Sequence, residues 1–152
     1  MKRGKLLWQL VRVFVVALVV YAVVFGWIEH RRVVKGPWVV SFAPGNESPV
    51  IFLNQSALGI RDVRIIFREA TAQTNSVQVI EFSQARAVPF DVPLGQCVFQ
   101  DTTFLPGTVT FEMFGHQIQL MPRVLTIDKA ERPWRSGEVI ELRATSTNAP
   151  AR

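Results

Sequence analysis

Two histidines occur in the 152 residues, His30 and His116, and they form no pair at metal-ligand spacing. The single cysteine, Cys97, excludes an intrachain disulfide and a cysteine-based metal site. Its neighbours Val98 and Phe99 are apolar, which marks Cys97 as a small core residue rather than a nucleophile. His116 follows Gly115 where a tight turn is expected, and nothing close in sequence completes a site around it. Acids are scattered singly. Asp101 stands beside Thr102 and Thr103, and Asp128 precedes Glu131 and Arg132. A pair such as Asp101 and Asp128 is the arrangement a hydrolase would need for general acid and base, which makes a membrane-tethered hydrolase built from loop carboxylates the alternative reading of function. Carboxylates between strands more often cap turns. No Gly-x-Ser-x-Gly elbow, P-loop or Gly-x-Gly-x-x-Gly fingerprint occurs. The pattern therefore assigns no catalytic, cofactor-binding or metal-binding residue, and no cofactor is expected. Asn46-Glu47-Ser48 and Asn54-Gln55-Ser56 match the glycosylation acceptor triplet, a short pattern that chance supplies often.

The aromatic residues carry more information. Trp38, Trp134 and most of the eleven phenylalanines suit the core of a β domain, where alternating strand positions bury them. Phe104 and Phe114 lie close to expected turns and can point away from such a core. Trp134 stands between Arg132 and Arg135 in a proline-containing loop, which suits internal cation–π packing or a recognition surface. Phe104, Phe114 and Trp134 are accordingly the candidates for a partner-binding surface.

Those residues are carried by a chain with two unlike parts. The net charge is +5 and the pI near 10.1, values that invite a nucleic-acid reading. Placement removes it. Seven basic residues (Lys2, Arg3, Lys5, Arg12, Arg31, Arg32 and Lys35) face one acid, Glu29, in the first 35 positions, so the remainder carries a net charge of −1. The basic groups flank a hydrophobic segment, and no nucleic-acid partner is expected.

That segment covers residues 6–28, about 23 residues, long enough at ~1.5 Å per residue to cross a hydrocarbon layer of ~30 Å. From Val13 to Ile28 no polar face repeats at helical period, as a soluble helix would require. Trp8, Arg12, Trp27, Arg31 and Arg32 are the expected membrane-interface residues: indole rings favour the headgroup layer, and the long stem of Arg12 lets its guanidinium snorkel to the nearer surface. A cleaved signal peptide would need a small-x-small site after the apolar run, and Trp27 with the charged Glu29-His30-Arg31-Arg32 resembles a stop at the interface instead. The expected organisation is a short basic tail at 1–5, a transmembrane signal anchor at 6–28, a basic juxtamembrane linker at 29–36, a β domain at 37–143 and a disordered tail at 144–152. A short positive N-terminus ahead of a first span stays cytoplasmic as a rule, which places the β domain outside the cytosol.

After Gly36-Pro37, short runs rich in Val, Ile, Phe and Thr alternate with Pro, Gly and Asn. Strands are predicted at 38–42, 50–53, 63–67, 77–82, 97–102, 108–114, 117–121, 124–127 and 139–143. Alternation is clearest at Val109, Phe111 and Met113 and again at Ile118 and Leu120, with a hairpin turn predicted at Gly115-His116. Residues 89–93, with proline at both ends, suit an edge strand or a crossing loop, and 68–74 a connecting loop. Arg61, Arg64 and Arg68 alternate with apolar residues and are assigned to a solvated face. The fold class expected is all-β, a small antiparallel β-sandwich or barrel-like domain preceded by one N-terminal transmembrane α-helix. The expected role is a single-pass membrane protein presenting that domain as a protein-binding or scaffolding module, with the lipid bilayer and another envelope or membrane protein as partners.

Overall fold

The structure, a computed structural model, describes residues 2–45, 47–71 and 75–145. The chain divides into two compact units, 1–34 and 35–152. The first is a helix, α1 (Lys2–Val33), ending in a basic last turn of His30, Arg31 and Arg32 that complements the helix dipole. It is longer than the predicted segment. Residues 2–5 and 29–33, on either side of the predicted span, are helical as well, and the Glu29–Arg32 pair (3.6 Å) supports the last turn. A run this rich in β-branched valine is a modest helix former in water, but in lipid the helix is the form that satisfies every backbone group within one segment.

Among its described residues the second unit holds eleven strands: β1 (Val39–Ala43), β2 (Val50–Gln55), β3 (Ile60–Arg68), β4 (Gln78–Glu81), β5 (Phe90–Val92), β6 (Gly95–Asp101), β7 (Thr108–Met113), β8 (His116–Leu120), β9 (Val124–Ile127), β10 (Ala130–Pro133) and β11 (Val139–Arg143). They form a five-stranded sheet, in the order β11-β3-β2-β1-β4, and a six-stranded sheet, β10-β9-β8-β7-β6-β5. The sheets share one core. Val40 and Phe42 of β1, Ile51 and Leu53 of β2 and Ile65 and Phe67 of β3 meet Val109, Phe111 and Met113 of β7 and Ile118 and Leu120 of β8, all essentially without solvent exposure. Phe111 packs edge-on against Phe42 and Phe82, with ring centroids 6.1 and 5.4 Å apart. Each fully buried side chain of this size contributes about 1.5–3 kcal/mol of hydrophobic stabilisation. Cys97 belongs to the same core, where burial pushes its thiol pKa up to about 11.

Every predicted strand is present within a few residues, and the 89–93 segment supplies edge strand β5. The expectation of an all-β chain holds for the second unit and omits the helix. The sheets are antiparallel-rich but not purely antiparallel, because β11 runs parallel to β3 from Val139↔Arg64 to Arg143↔Arg68. The reason is the short link before it. β10 finishes beside the start of β3, and residues 134–138 cross to the other sheet there: Ser136 Oγ donates to the Gly59 carbonyl (2.7 Å) and Gly137 N–H to the Arg61 carbonyl (2.9 Å). β11 must then run the same way as β3. β10 was missed by sequence because Glu131, Arg132 and Pro133 are all exposed and show no alternation.

Strand direction gives this unit two ends. At the proximal end, where its chain begins, Trp38 donates from Nε1 to the Gly107 carbonyl (3.1 Å), and the Gln55 amide bonds the carbonyls of Lys35, Gly36 and Pro37 at 2.8–3.0 Å. Six residues of β7 lead from there to the distal end, about 20 Å away at ~3.4 Å per residue.

Candidate functional site

The helix is the most strongly specified functional element. Residues Gly4–Val33 form a span long and apolar enough to cross a membrane, and none of its apolar window is buried in the protein. Leu6 to Ile28 present their side chains outward on every face. Two like pairs mark its ends: the Arg12 guanidinium lies 4.6 Å from the Trp8 ring centroid, and that of Arg31 lies 4.2 Å from the Trp27 ring. Both are i,i+4 neighbours, which a helix places on one face. Arg32, also exposed, turns to Glu29.

In the β domain the distal end holds the one cluster of ionisable groups built around histidine. The β7–β8 turn is Phe114-Gly115, both with left-handed φ (50° and 83°), and not Gly115-His116 as predicted. His116 is therefore the first residue of β8, opposite Met113. Its Nδ1 lies 2.6 Å from Asp128 Oδ2 and its Nε2 lies 2.6 Å from the Arg143 carbonyl oxygen. Asp128 occupies the β9–β10 turn, where Asp128 and Lys129 also have left-handed φ (50° and 69°), and its Oδ1 accepts from the Gln117 N–H at 2.9 Å. The imidazole thus joins β8 and the β9–β10 turn of one sheet to the end of β11 in the other. Phe114 reinforces the joint, since its carbonyl accepts from Thr145 N–H (3.0 Å) and its ring rests on Phe67 at 4.9 Å.

Both ring nitrogens face acceptors, and a neutral imidazole has one N–H to offer, so the geometry favours the imidazolium. Burial alone would lower the pKa of His116, but the bonds to Asp128 and to the Arg143 carbonyl, together with the carboxylate charge, outweigh it and leave the pKa above the usual 6.5. For Asp128 burial works upward, and the bonds from His116 and Gln117 win to hold its carboxyl below the usual 3.8. A groove of about 470 Å³ adjoins the pair, bordered by Glu112, Gln117 and Gly115. With both nitrogens engaged, the ring has no free position from which to take a proton from a substrate. It works as a cross-link.

The sheet edges are unequal. β5 is bounded by Pro89 and Pro93, and β10 contains Pro133 with Glu131 and Arg132, features that discourage further pairing. β4 has no proline, and its one charged residue is Glu81 at its end. Phe82 N–H donates to the Trp38 carbonyl (3.0 Å), so the alternation of an antiparallel pair turns the backbone groups of Gln78 and Ile80 towards β1 and those of Val79 and Glu81 to the open side. Val77 and Val79, 62% and 63% exposed, stand beside that edge.

No family model, curated protein or solved structure matches this chain.

The sequence-predicted residues fall as follows. Of the partner-surface candidates, Phe104 stands in solvent at 58% exposure. Phe114 does not, because its left-handed backbone swings the ring back onto Phe67. Trp134 is also turned inward: its ring lies 5.2 Å from that of Trp38, and its Nε1 donates to the Met121 carbonyl at 2.8 Å. Asp101 and Asp128 are not brought together. Asp101 pairs with Thr108 at the proximal end of β7 and caps the Thr103 N–H (2.9 Å), whereas Asp128 is at the distal end. The arginines of β3 are exposed as expected, with Arg64 on Asp62 and Arg68 on Glu141 at 2.7 Å. Sequence reasoning missed the His116 joint, whose partners lie 12 and 27 positions away. The Asn46 triplet, residues 72–74 of the predicted loop and residues 146–152 of the predicted tail lie outside the described residues, while Ala144 and Thr145 are bonded to Arg68 and Phe114 carbonyls.

Proposed function

We propose that this chain is a single-pass membrane protein in which α1 is an uncleaved signal anchor and the two sheets form a β-sandwich, presented outside the cytosol as a protein-binding or scaffolding module. The observation that carries the reading is the unburied apolar helix with a tryptophan–arginine pair at each end. Trp8 and Trp27 are 19 positions apart, about 28 Å at ~1.5 Å per residue, close to the hydrocarbon thickness of ~30 Å. Trp8, Arg12, Trp27, Arg31 and Arg32 then lie at the two interfaces. The N-terminus faces the cytoplasm by the rule for short positive tails.

The binding role is supported by the open, proline-free edge of β4. An extended segment of an envelope or membrane protein adding to it would bond the outward backbone groups of Val79 and Glu81 and pack on Val77 and Val79. Two measurements test the proposal. The full chain floats with the bilayer fraction after carbonate washing, and the β domain is digested by protease added to intact right-side-out vesicles; solubilisation of the chain or protection of the domain refutes the topology. Val79→Lys abolishes partner co-purification from mild detergent while leaving flotation unchanged, and an unaltered partner yield refutes the edge.

A further inference from the structure

The proximal end of the β domain carries an apolar point of its own. Phe104 is at the tip of the β6–β7 loop, fully outside the core, and the loop is fixed on both sides: Asp101 caps the Thr103 N–H, and the Gly107 carbonyl accepts from the buried Trp38. Gly107 has φ of +68°, and a Cβ there would meet the Asp101 carbonyl oxygen at 1.8 Å, so only glycine closes this turn. The aromatic tip is thus held in solvent by its own framework. Phe99, the other exposed aromatic among the described residues of the domain, is two residues from Asp101 on the same strand.

Resting on the membrane-anchor reading, we propose that Phe104 inserts into the headgroup layer of the bilayer that holds α1, giving the β domain a second, non-covalent contact with the lipid. The covalent link sets an upper bound on how far this end of the domain can stand from that surface. Residues 34–37 separate the last helical residue from Trp38, and the five steps from Val33 to Trp38 reach at most about 18 Å when fully extended. Val33 is six positions beyond Trp27, a rise of about 9 Å, comparable to the depth of the headgroup layer. Trp38 holds Gly107, and Gly107 closes the loop that bears Phe104. The named charges at this end, Lys35, Arg61, Arg123 and Arg135 against Glu81, Asp101 and Glu138, leave an excess of one positive charge, so a zwitterionic lipid is the surface on which the apolar contact is read separately from electrostatic attraction.

The full chain in phosphatidylcholine vesicles tests this. A Thr103→Cys variant takes a single environment-sensitive thiol probe next to Phe104, because Cys97 is buried with its thiol pKa near 11. Quenching by lipids carrying a spin label in the upper acyl chain is compared with a Lys129→Cys probe at the distal end. Quenching at position 103 is several-fold greater than at 129, and Phe104→Ser on the Thr103→Cys background lowers it to the distal value. Equal quenching at the two positions, or quenching unaltered by Phe104→Ser, overturns the proposal. Flotation of the same vesicles separates the two levels: a chain that floats but gives equal quenching removes this contact alone, and a chain that does not float removes the anchor as well.

Discussion

Raising the pH through the titration of His116 should loosen the distal end of the β domain. The imidazole ring is largely covered, with 13% of its side-chain surface exposed, and donates both protons to acceptors 2.6 Å away. A folded pKa above the unfolded value means that the stabilisation is fully present below about pH 6.5 and is lost as the pH rises through the folded pKa. Asp128 acts with the opposite sign. Its lowered pKa gives stability present above about pH 4 and lost as the pH falls through the folded value. The joint is therefore strongest between roughly pH 4 and 6.5. Charged groups facing the ring are Asp128 itself, with Lys129 beside it in the turn; the Arg143 side chain is 4.0 Å from Glu69. A hydrogen bond to a charged group contributes about 1.5–3 kcal/mol, and the half-exposure of Asp128 reduces this, so deprotonation should cost about 1–2 kcal/mol. For a domain of this size that lowers Tm by about 4–8 °C. Thermal unfolding of the full chain in detergent, followed by fluorescence of the packed Trp38 and Trp134, should show that drop between pH 5.5 and 8.5, and His116→Ala should flatten it. Amide exchange gives a local reading, since the Thr145 and Gln117 N–H groups should lose protection before those of β7. A wild-type profile that His116→Ala reproduces, or stability that rises with pH across this range, would refute the reasoning.

Three further outcomes are expected. Gln55→Glu keeps the shape of a side chain that is 2% exposed but points a carboxylate at the carbonyls of Lys35, Gly36 and Pro37, so denaturant melts should show a loss of at least about 2–3 kcal/mol, more than for Gln55→Ala. Lys129→Gly should stabilise the domain by about 1 kcal/mol, because Lys129 is exposed at φ 69° and Asp-Gly suits a turn with two left-handed residues; an unchanged or lower Tm contradicts this. Cys97 should resist alkylation at pH 8 in the native chain and react at once in denaturant, and rapid native labelling would show that the core is open around it.

What could be read in advance followed from periodicity. Val109, Phe111 and Met113 are buried while Glu112 between them is exposed, and this alternation placed β7 and β8 within a residue or two. The helix was legible because no charged residue interrupts it from Val13 to Ile28. Two classes of feature were hidden. Conformation decided by one backbone angle was misplaced: a bulky Phe114 at positive φ is uncommon, so the turn was put one residue late and the ring was left pointing outwards. Contacts between residues far apart in sequence carried no local signal. Nothing near His116 in sequence announces Asp128 or the Arg143 carbonyl, and nothing near Trp134 announces that Trp38 covers it.

The order of strands also gives the domain a chemical polarity that composition conceals. A net charge of −1 after Lys35 suggests a neutral body. Yet Glu47, Glu69 and Asp128 in the distal turns, with Asp91, Glu112 and Glu141 in the strands that reach that end, stand against Arg68, Lys129 and Arg143, while the proximal end has a small positive excess and holds the exposed Phe104. A hairpin reverses the chain, so alternate connections always return to the same end, and acids placed in alternate turns accumulate there. Two of these six acids are answered by arginine or histidine at 2.7 Å or less, in the Arg68–Glu141 and His116–Asp128 pairs, and both pairs hold a strand or turn in register as well as offsetting charge. The remaining negative charge is displayed away from the end where the chain begins. A lipid surface rich in anionic headgroups would repel that end, and the apolar tip of Phe104 at the other is free of such a penalty. The same alternation that builds the sheets thus sorts the surface into an acidic distal end and a proximal end with an exposed apolar tip.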